Sequence, residues 1–254
     1  MGGTKGLFDL TGRVAVVTGG SRGLGREIVR ALAGAGADVV IASRKVENCE
    51  QLADEVSTEY HVRALPVACH VGNWDEVGAL ADKAYEVFGK VDVLVNNAGM
   101  SPHYPSLAGV SEALYDKVFA VNLKGPFRLS ALIAERMVAA GGGSIINISS
   151  ASADRPTPDE VPYAAAKAGL NSLTVGMART YGPTVRVNAI VAGPFLTDVS
   201  AAWDMESFER NAASKIALRR AGRPDEIVGS ALYLASEASS FTTGALLNVD
   251  GGYS

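Results

Sequence analysis

A short apolar strand that runs into a glycine-rich turn and then into an amphipathic helix constrains this chain more than any other stretch. Val14-Ala15-Val16-Val17 is a β-branched run without a polar break, the pattern of a strand buried on both faces. Thr18-Gly19-Gly20-Ser21-Arg22-Gly23-Leu24-Gly25 follows, and Ile28, Val29, Ala31 and Leu32 then recur at helical spacing. Strand, glycine turn and helix in that order is the context a phosphate-binding turn needs. The glycines let the backbone approach a pyrophosphate, and the helix start offers unpaired N–H groups at the positive end of its dipole. The spacing Gly19-x-x-x-Gly23-x-Gly25 is a variant of the common dinucleotide fingerprint; a plain βα turn with no ligand is the competing reading.

The rest of the chain repeats the alternation. Strands are expected at 39–42, 64–69, 91–95, 145–150, 185–190 and 245–249. Helices are expected at 46–60, 74–88, 111–139, 163–181 and 226–235, and Gly125-Pro126 should bend or split the longest of them. This pattern predicts an α/β fold: one doubly wound parallel sheet with helices on both faces, in a single domain over 1–254. Residues 1–6 read as a loose terminus. Residues 195–221 have mixed polarity and no clean period, and such a long segment usually covers a site; Trp203, Met205 and Phe208 within it would line a substrate pocket.

Charge and cysteine content remove several classes of function. A net charge of −4 leaves no basic footprint for nucleic acid. Two cysteines, Cys49 and Cys69, make neither a disulfide framework nor a metal cluster, and His61, His70 and His103 show no metal spacing. No apolar run approaches a membrane span, and no charged-then-apolar leader opens the sequence. The default expectation is a soluble, cytoplasmic protein with no metal, nucleic-acid or membrane partner.

The chemistry concentrates near residue 163. Tyr163 and Lys167 stand at i and i+4, which puts both side chains on one face of a helix. A free phenol titrates near 10, and a neighbouring ammonium favours the phenolate, so the pair can serve as a tuned general acid or base. Ser150 ends the apolar run at 145–148, at the carboxyl end of a strand where open α/β sheets bind ligands. Ser149 beside it is the competing candidate.

Thr18-Gly19-x-x-x-Gly23-x-Gly25, Asn96-Asn97-Ala98-Gly99, Asn122, Ser150, Tyr163-x-x-x-Lys167, Asn188, Gly193 and Val249-Asp250-Gly251-Gly252 together resemble the short-chain dehydrogenase/reductase family, over nearly the whole chain. The resemblance implies a Rossmann fold and a ketone–alcohol oxidoreductase. It looks most like 3-oxoacyl carrier-protein reductases and gluconate-type dehydrogenases. It implies Tyr163 as acid/base, Lys167 on the nicotinamide ribose and lowering the tyrosine pKa, Ser150 on the substrate oxygen, and Asn122 behind them holding a relay water. It implies cofactor contacts from Gly19, Ser21, Arg22, Gly23, Leu24, Asn96, Asn97, Ala98, Gly99, Gly193, Phe195 and Thr197, and a homotetramer packed through helices 111–139 and 162–181. Three positions depart from the family: His70 where an adenine-contacting Asp is common, Ala192 where Pro precedes Gly193, and Ala153 where a glycine often follows the serine.

The end of the second strand speaks to cofactor choice. An NAD enzyme usually places an acid there for the ribose hydroxyls, and the same acid repels a 2′-phosphate. Here the position holds Ser43 and Arg44, with Arg22 reaching from the glycine turn and His70 and Val71 at the next strand end. NADP(H) is therefore expected over NAD(H), with a small carbonyl or alcohol as substrate. The alternatives are a sugar-acid or other small-molecule alcohol dehydrogenase, an isomerase or dehydratase of the same fold, and a nucleotide-binding member without turnover.

Overall fold

The computed structural model describes residues 6–197, 200 and 205–254. Seven strands run β1 (Val14–Thr18), β2 (Asp38–Ser43), β3 (Ala64–Ala68), β4 (Val93–Asn96), β5 (Gly143–Ser150), β6 (Val185–Ala192) and β7 (Leu246–Val249). They form one parallel sheet in the order β3-β2-β1-β4-β5-β6-β7. The order reverses between β1 and β4, where Thr18 pairs with Asn96, and a crevice opens past their carboxyl ends. The fold class expected from the alternation is the one found.

Both faces of the sheet are covered because its strands are apolar on both sides. Val17, Ile41 and Val95 point to one face and pack with Ile28, Leu32, Leu52 and Leu234, carried by α1 (Gly23–Gly34), α2 (Val46–Tyr60) and α8 (Val228–Ala235). Their neighbours Val16, Val40 and Leu94 point to the other and meet Leu80, Ile133 and Met177. Those come from α3 (Trp74–Phe88), α5 (Gly125–Ala140) and α6 (Val161–Tyr181). This is the period-two alternation of a central strand with a core on each side. The cap of α3 is legible in the sequence: Asn73 accepts from the N–H groups of Asp75 and Glu76, and Gly89 closes the other end at φ +74°.

The longest expected helix is split at Gly125-Pro126, one of the two outcomes expected of that pair. It is α4 (Glu112–Phe119), one π-turn at Ala120–Lys124, then α5. The distortion lies in the turn before the proline, because Pro126 has no N–H to give the carbonyl of Asn122 four residues back. Gly125 sits where this turn meets the loop after β3.

A Cβ at Gly125 would lie 2.0 Å from the Val71 carbonyl oxygen and 3.3 Å from that of Ala120. Both are backbone atoms, so Gly125→Ala should cost about 2 kcal/mol or more. In a domain of this size that is a fall in Tm of roughly 4–8 °C. A thermal melt with an unchanged midpoint would show that the backbone yields there freely.

Candidate active site

The crevice is built first from β1. The Thr18 hydroxyl accepts from the N–H groups of Asn97 (3.1 Å) and Ala98 (3.2 Å), while the Asn97 amide donates to the carbonyls of Thr18 and Gly19, both at 3.0 Å. Asn97 thus holds the glycine turn against the end of β4. Gly19 (φ +62°) has the Ala98 Cα 2.9 Å from where its Cβ would be, and a Cβ at Gly25 would fall 2.2 Å from the Gly19 oxygen. Only glycine fits at either place.

α1 starts at Gly23 (φ +53°) with Arg22 as its N-cap, and no side chain caps its first turn. Leu24 turns inward against the core, and Thr197 stands across from Gly23, 3.4 Å from the Cβ position. A twelve-residue helix without an N-cap side-chain bond, and whose first residue has no side chain, fits a dinucleotide pyrophosphate, because its first N–H groups have no partner within the helix. Ser21 does not cap the helix and instead lies within hydrogen-bonding reach of the Cys49 thiol.

Next along the crevice come the ends of β2 and β3. The Ser43 hydroxyl donates to the Lys45 carbonyl (2.9 Å) and meets the Cys49 sulfur at 3.1 Å. Arg44 is exposed and makes no ion pair among the described residues. The acid nearest in sequence before it, Asp38, is at the other end of β2 and bound to Arg63 at 2.6 Å. His70 is held on both sides: its N–H donates to Glu76 (2.7 Å), and its Nδ1 accepts from Gly72 N–H at 3.1 Å. Nδ1 is thereby an acceptor, which leaves Nε2 as the ring donor. An adenine amino group is itself a donor, so His70 cannot replace the common Asp like for like. Val71 presents its backbone beside it.

At the centre of the sheet, β5 ends at Ser150 and α6 brings Tyr163 and Lys167 alongside. Ser150 Oγ accepts from Ser152 N–H and donates to Ser152 Oγ, both at 3.1 Å. Ser149 points away, its hydroxyl 3.5 Å from the Lys167 carbonyl, so Ser150 is the serine at the site. Lys167 is buried; its Nζ donates to the Ile148 carbonyl at 2.7 Å and lies 5.7 Å from the centre of the Tyr163 ring. Burial pushes the Tyr163 phenol up to about 12, with Ser150 opposing and the Glu160 carboxylate reinforcing it. Burial pushes Lys167 down to about 8. The expected lowering of the phenol pKa is not what the folded chain shows: burial raises it, and one N–H of the Lys167 ammonium is given to Ile148.

Packing limits how the side chains of three other expected residues can take part. Asn122 is fully buried; its amide N–H groups donate to the Met100 and Val118 carbonyls at 2.9 Å, and its Oδ1 accepts from Met100 N–H at 3.1 Å. Its side chain ties the loop after β4 to the π-turn, which leaves its main-chain carbonyl as the group freer to take a relay water. Asn96 lies behind the sheet, donating at 2.8 Å to Ser130 and to Asn147. Phe195 is buried with its ring against Gly222, so it offers the crevice its backbone alone. Gly99 does sit at the site, with Asn122 Oδ1 at 3.1 Å and Lys167 Nζ at 3.7 Å from its Cβ position. Gly193 is required by the close approach of Asp250, 2.6 Å from its own Cβ position.

Part of the covering segment is α7 (Met205–Lys215). It is anchored by a bridge of Phe195 to Gly222 and one of Ile216 to Tyr253. Met205 is exposed at its start; Trp203 lies outside the described residues. The sequence reading missed Tyr104. Its hydroxyl donates to the Pro158 carbonyl (2.7 Å) and accepts from Val161 N–H (2.9 Å), joining the loop after β4 to the entrance of α6. It also missed the buried ladder Asn96–Asn147–Thr174 that joins β4, β5 and α6. Alternation of polar residues in otherwise apolar strands was the available signal. Among the described residues no group of His, Cys, Asp and Glu could hold a metal, and no helix is long and apolar enough to cross a membrane.

Comparison with known proteins agrees with this geometry. Residues 19–254 match the protein-family model described as Enoyl-(Acyl carrier protein) reductase. A short chain dehydrogenase/reductase of Aspergillus oryzae is 39% identical over 259 residues, covering 100% of this chain and 99% of its own. The solved structure of 7 alpha-hydroxysteroid dehydrogenase with NADH and 7-oxo glycochenodeoxycholic acid is 33% identical, covers 100% and 98% of the two chains and superposes with a TM-score of 0.94. That of 3-oxoacyl (acyl-carrier-protein) reductase from Agrobacterium tumefaciens with NADP bound is 33% identical over 98% and 97%, with a TM-score of 0.92.

The buried lysine has a consequence for stability. Lys167 holds its proton near its ordinary 10.5 in the unfolded chain and near 8 in the folded one. Between those values the unfolded chain binds more protons, so stability rises as the pH climbs from about 8 to 10.5; below 8 the cost of burying the charge is in full force. Lys167→Met should remove a cost of up to about 3 kcal/mol at pH 7, less about 1 kcal/mol for the orphaned Ile148 carbonyl. The variant should melt several degrees higher than wild type at neutral pH without added nucleotide, and the gap should shrink as the pH approaches 10. A gap that is absent, or constant with pH, would contradict the burial cost.

Proposed function

This chain belongs to the short-chain dehydrogenase/reductase family of oxidoreductases, and we propose that it interconverts a small ketone and its secondary alcohol by hydride transfer, with NADP(H) favoured over NAD(H). The observation that carries this reading is the meeting of Ser150 and Tyr163 at the carboxyl end of β5, with Lys167 buried beneath them.

A nicotinamide bound in the crevice would supply or accept the hydride at the carbon. The protein handles the oxygen. A phenol at about 12 stays protonated through neutral pH, so Tyr163 is present as the acid. As negative charge grows on the carbonyl oxygen, the Ser150 and Tyr163 hydroxyls donate to it. The phenol O–H bond breaks and the alcohol O–H bond forms. The phenolate left behind lies beside Ser150 and over Lys167, and regains its proton from solvent. Oxidation uses the same groups in reverse. The N-terminus of α1 and the turn held by Asn97 would take the pyrophosphate, and Gly99 the space beside Lys167.

NADP(H) is supported by the second-strand end. Arg44 is exposed there without an ion pair among the described residues, no acid stands at the end of β2, and Asp38 at its start is occupied with Arg63. Arg22 stands at the start of α1 on the other side. Each hydrogen bond to a charged group contributes about 1.5–3 kcal/mol, and exposure and salt reduce it. The two suggest a preference on the order of a hundredfold. The relatives include one solved with NADH and one with NADP, so the residues of this chain carry the choice.

A small ketone is favoured over a carrier-bound 3-oxoacyl thioester, the substrate class named for the Agrobacterium relative. Of the three arginines that could dock an acidic carrier, two are paired, Arg220 with Glu226 at 2.6 Å and Arg223 with Asp225 at 3.2 Å, which leaves Arg219 and no cluster. The intact Ser150, Tyr163 and Lys167 set argues against a member that binds nucleotide without turnover.

Tyr163→Phe keeps the ring and removes the proton, so turnover should fall by about two to four orders of magnitude while nucleotide binding, followed by protein fluorescence, holds. Activity within tenfold of wild type would sink the assigned role. Arg44→Ala should lower the ratio of kcat/KM for NADPH over NADH by about tenfold. A wild-type ratio near one, or one the substitution leaves alone, would return NAD(H) to first place.

A further inference from the structure

One tyrosine takes no part in the mechanism above and yet holds the element that carries the reacting phenol. α6 begins at Val161, two residues before Tyr163. The first N–H groups of a helix have no partner inside it, and a side chain at the N-cap commonly takes one. Here Glu160 stands at the N-cap of α6 and its side chain makes no capping bond. The Val161 N–H is taken instead from another loop: the Tyr104 hydroxyl accepts it at 2.9 Å. The same hydroxyl donates to the Pro158 carbonyl at 2.7 Å, so one oxygen holds the chain on both sides of the entry to the helix.

The clamp is fixed at its own end. Before it in the loop, Met100 exchanges two bonds with the Asn122 side chain, at 3.1 and 2.9 Å. After it, the Ser106 hydroxyl accepts from Gly109 N–H at 3.1 Å. Tyr104 and Tyr163 also line one narrow gap together with Pro102 and Pro162, so the two tyrosines share packing as well as a backbone tie. A helical side chain leans toward the N-terminus, and the Tyr163 phenol therefore lies over the turn that Tyr104 holds. The glycine turn is held separately, by Thr18 and Asn97.

From this geometry we propose that Tyr104 is a positioning residue for the transfer step: it fixes the first turn of α6 and with it the aim of the Tyr163 phenol at the substrate oxygen. The role rests on the carbonyl-reducing site described above and adds a residue to it. Tyr104 gives up no proton in the reaction and acts through Tyr163. Proton transfer needs the donor within hydrogen-bond reach of the developing charge, and a misplacement of about 1 Å costs on the order of a hundredfold. A helix end that loses its cap frays, which is movement on that scale. The pyrophosphate end of the crevice has its own ties, so loss of the clamp leaves nucleotide binding in place.

Tyr104→Phe keeps the ring and removes both bonds. With the ketone that wild type reduces fastest in a panel of cyclic and open-chain ketones, kcat should fall by about ten- to a hundredfold, while NADPH binding, followed by protein fluorescence, stays within about twofold. Amide hydrogen exchange of the protein without nucleotide should quicken about tenfold over residues 161–165 and stay as in wild type over residues 23–30. The deciding arm is the same substitution in a Tyr163→Phe background. A residue that acts through the Tyr163 hydroxyl has nothing left to position there, so Tyr104→Phe should add less than about a twofold loss. A residue that only supports the fold would lower the residual activity by the same factor in both backgrounds. The fall in kcat, its absence in the Tyr163→Phe background and the faster exchange at the start of α6 together establish the role. A kcat within about threefold of wild type, an equal loss in both backgrounds, unchanged exchange at 161–165, or exchange that quickens throughout the chain overturns it. Wild type that reduces no ketone of the panel removes the reductase reading and this role together. Wild type that reduces ketones, with Tyr104→Phe its equal, removes the role alone.

Discussion

The hydroxyl of Thr18 is the contact on which the site depends. It takes two backbone N–H groups from the end of β4, while Asn97 returns two bonds to the carbonyls of Thr18 and Gly19. This stitch lies where the strand order reverses, so the two halves of the sheet would otherwise diverge and leave those polar groups without partners in a buried place. With the stitch in place, the glycine turn is pressed against Ala98 and the first turn of α1 is aimed into the crevice. The loop after β4 then continues to Met100, where Asn122 grips it from the π-turn. One line of bonds thus runs from the phosphate end of the crevice to the residues around Lys167.

The second organising force is desolvation. Tyr163 and Lys167 were brought close by helical spacing, but burial decides their protonation, one up to about 12 and the other down to about 8. Both shifts favour the neutral forms, which is what a low-dielectric site does to any ionisable group not fully paired. The site therefore carries a stability cost concentrated at Lys167, offset by the ladder Asn96–Asn147–Thr174, which joins β4, β5 and α6 and leaves its own members partnered. The arrangement trades stability for a proton donor at the right place.

Much of this was legible in the linear chain. Apolar runs without alternation announced central strands, and Trp74–Phe88 and Val46–Tyr60 are helices with the bounds their periodicity predicts. The glycines of the first turn and the Tyr163–Lys167 spacing marked the two ends of the site. Those signals are local: they depend on residues within a turn or two of each other. The break in the long helix at Gly125-Pro126 was legible too, but not the π-turn before it, because the missing N–H acts on the preceding turn and a π-turn has no composition of its own.

What only the tertiary structure decided is everything that depends on burial or on contacts between distant segments. Asn122 looks like a relay residue in sequence; in space its side chain ties a loop to a turn, which only the fold could show. Asn96 and Phe195 stand within motifs that line a crevice, yet their side chains face the core. Tyr104 belongs to no motif, and it matters because it ties the loop after β4 to the entrance of α6 beside Tyr163. The sequence by itself determined which elements form and which chemical groups are available. The packing of those elements decided which groups are dry, which are already bonded, and which face one another, because desolvation and side-chain contact are properties of the surroundings and not of the residue.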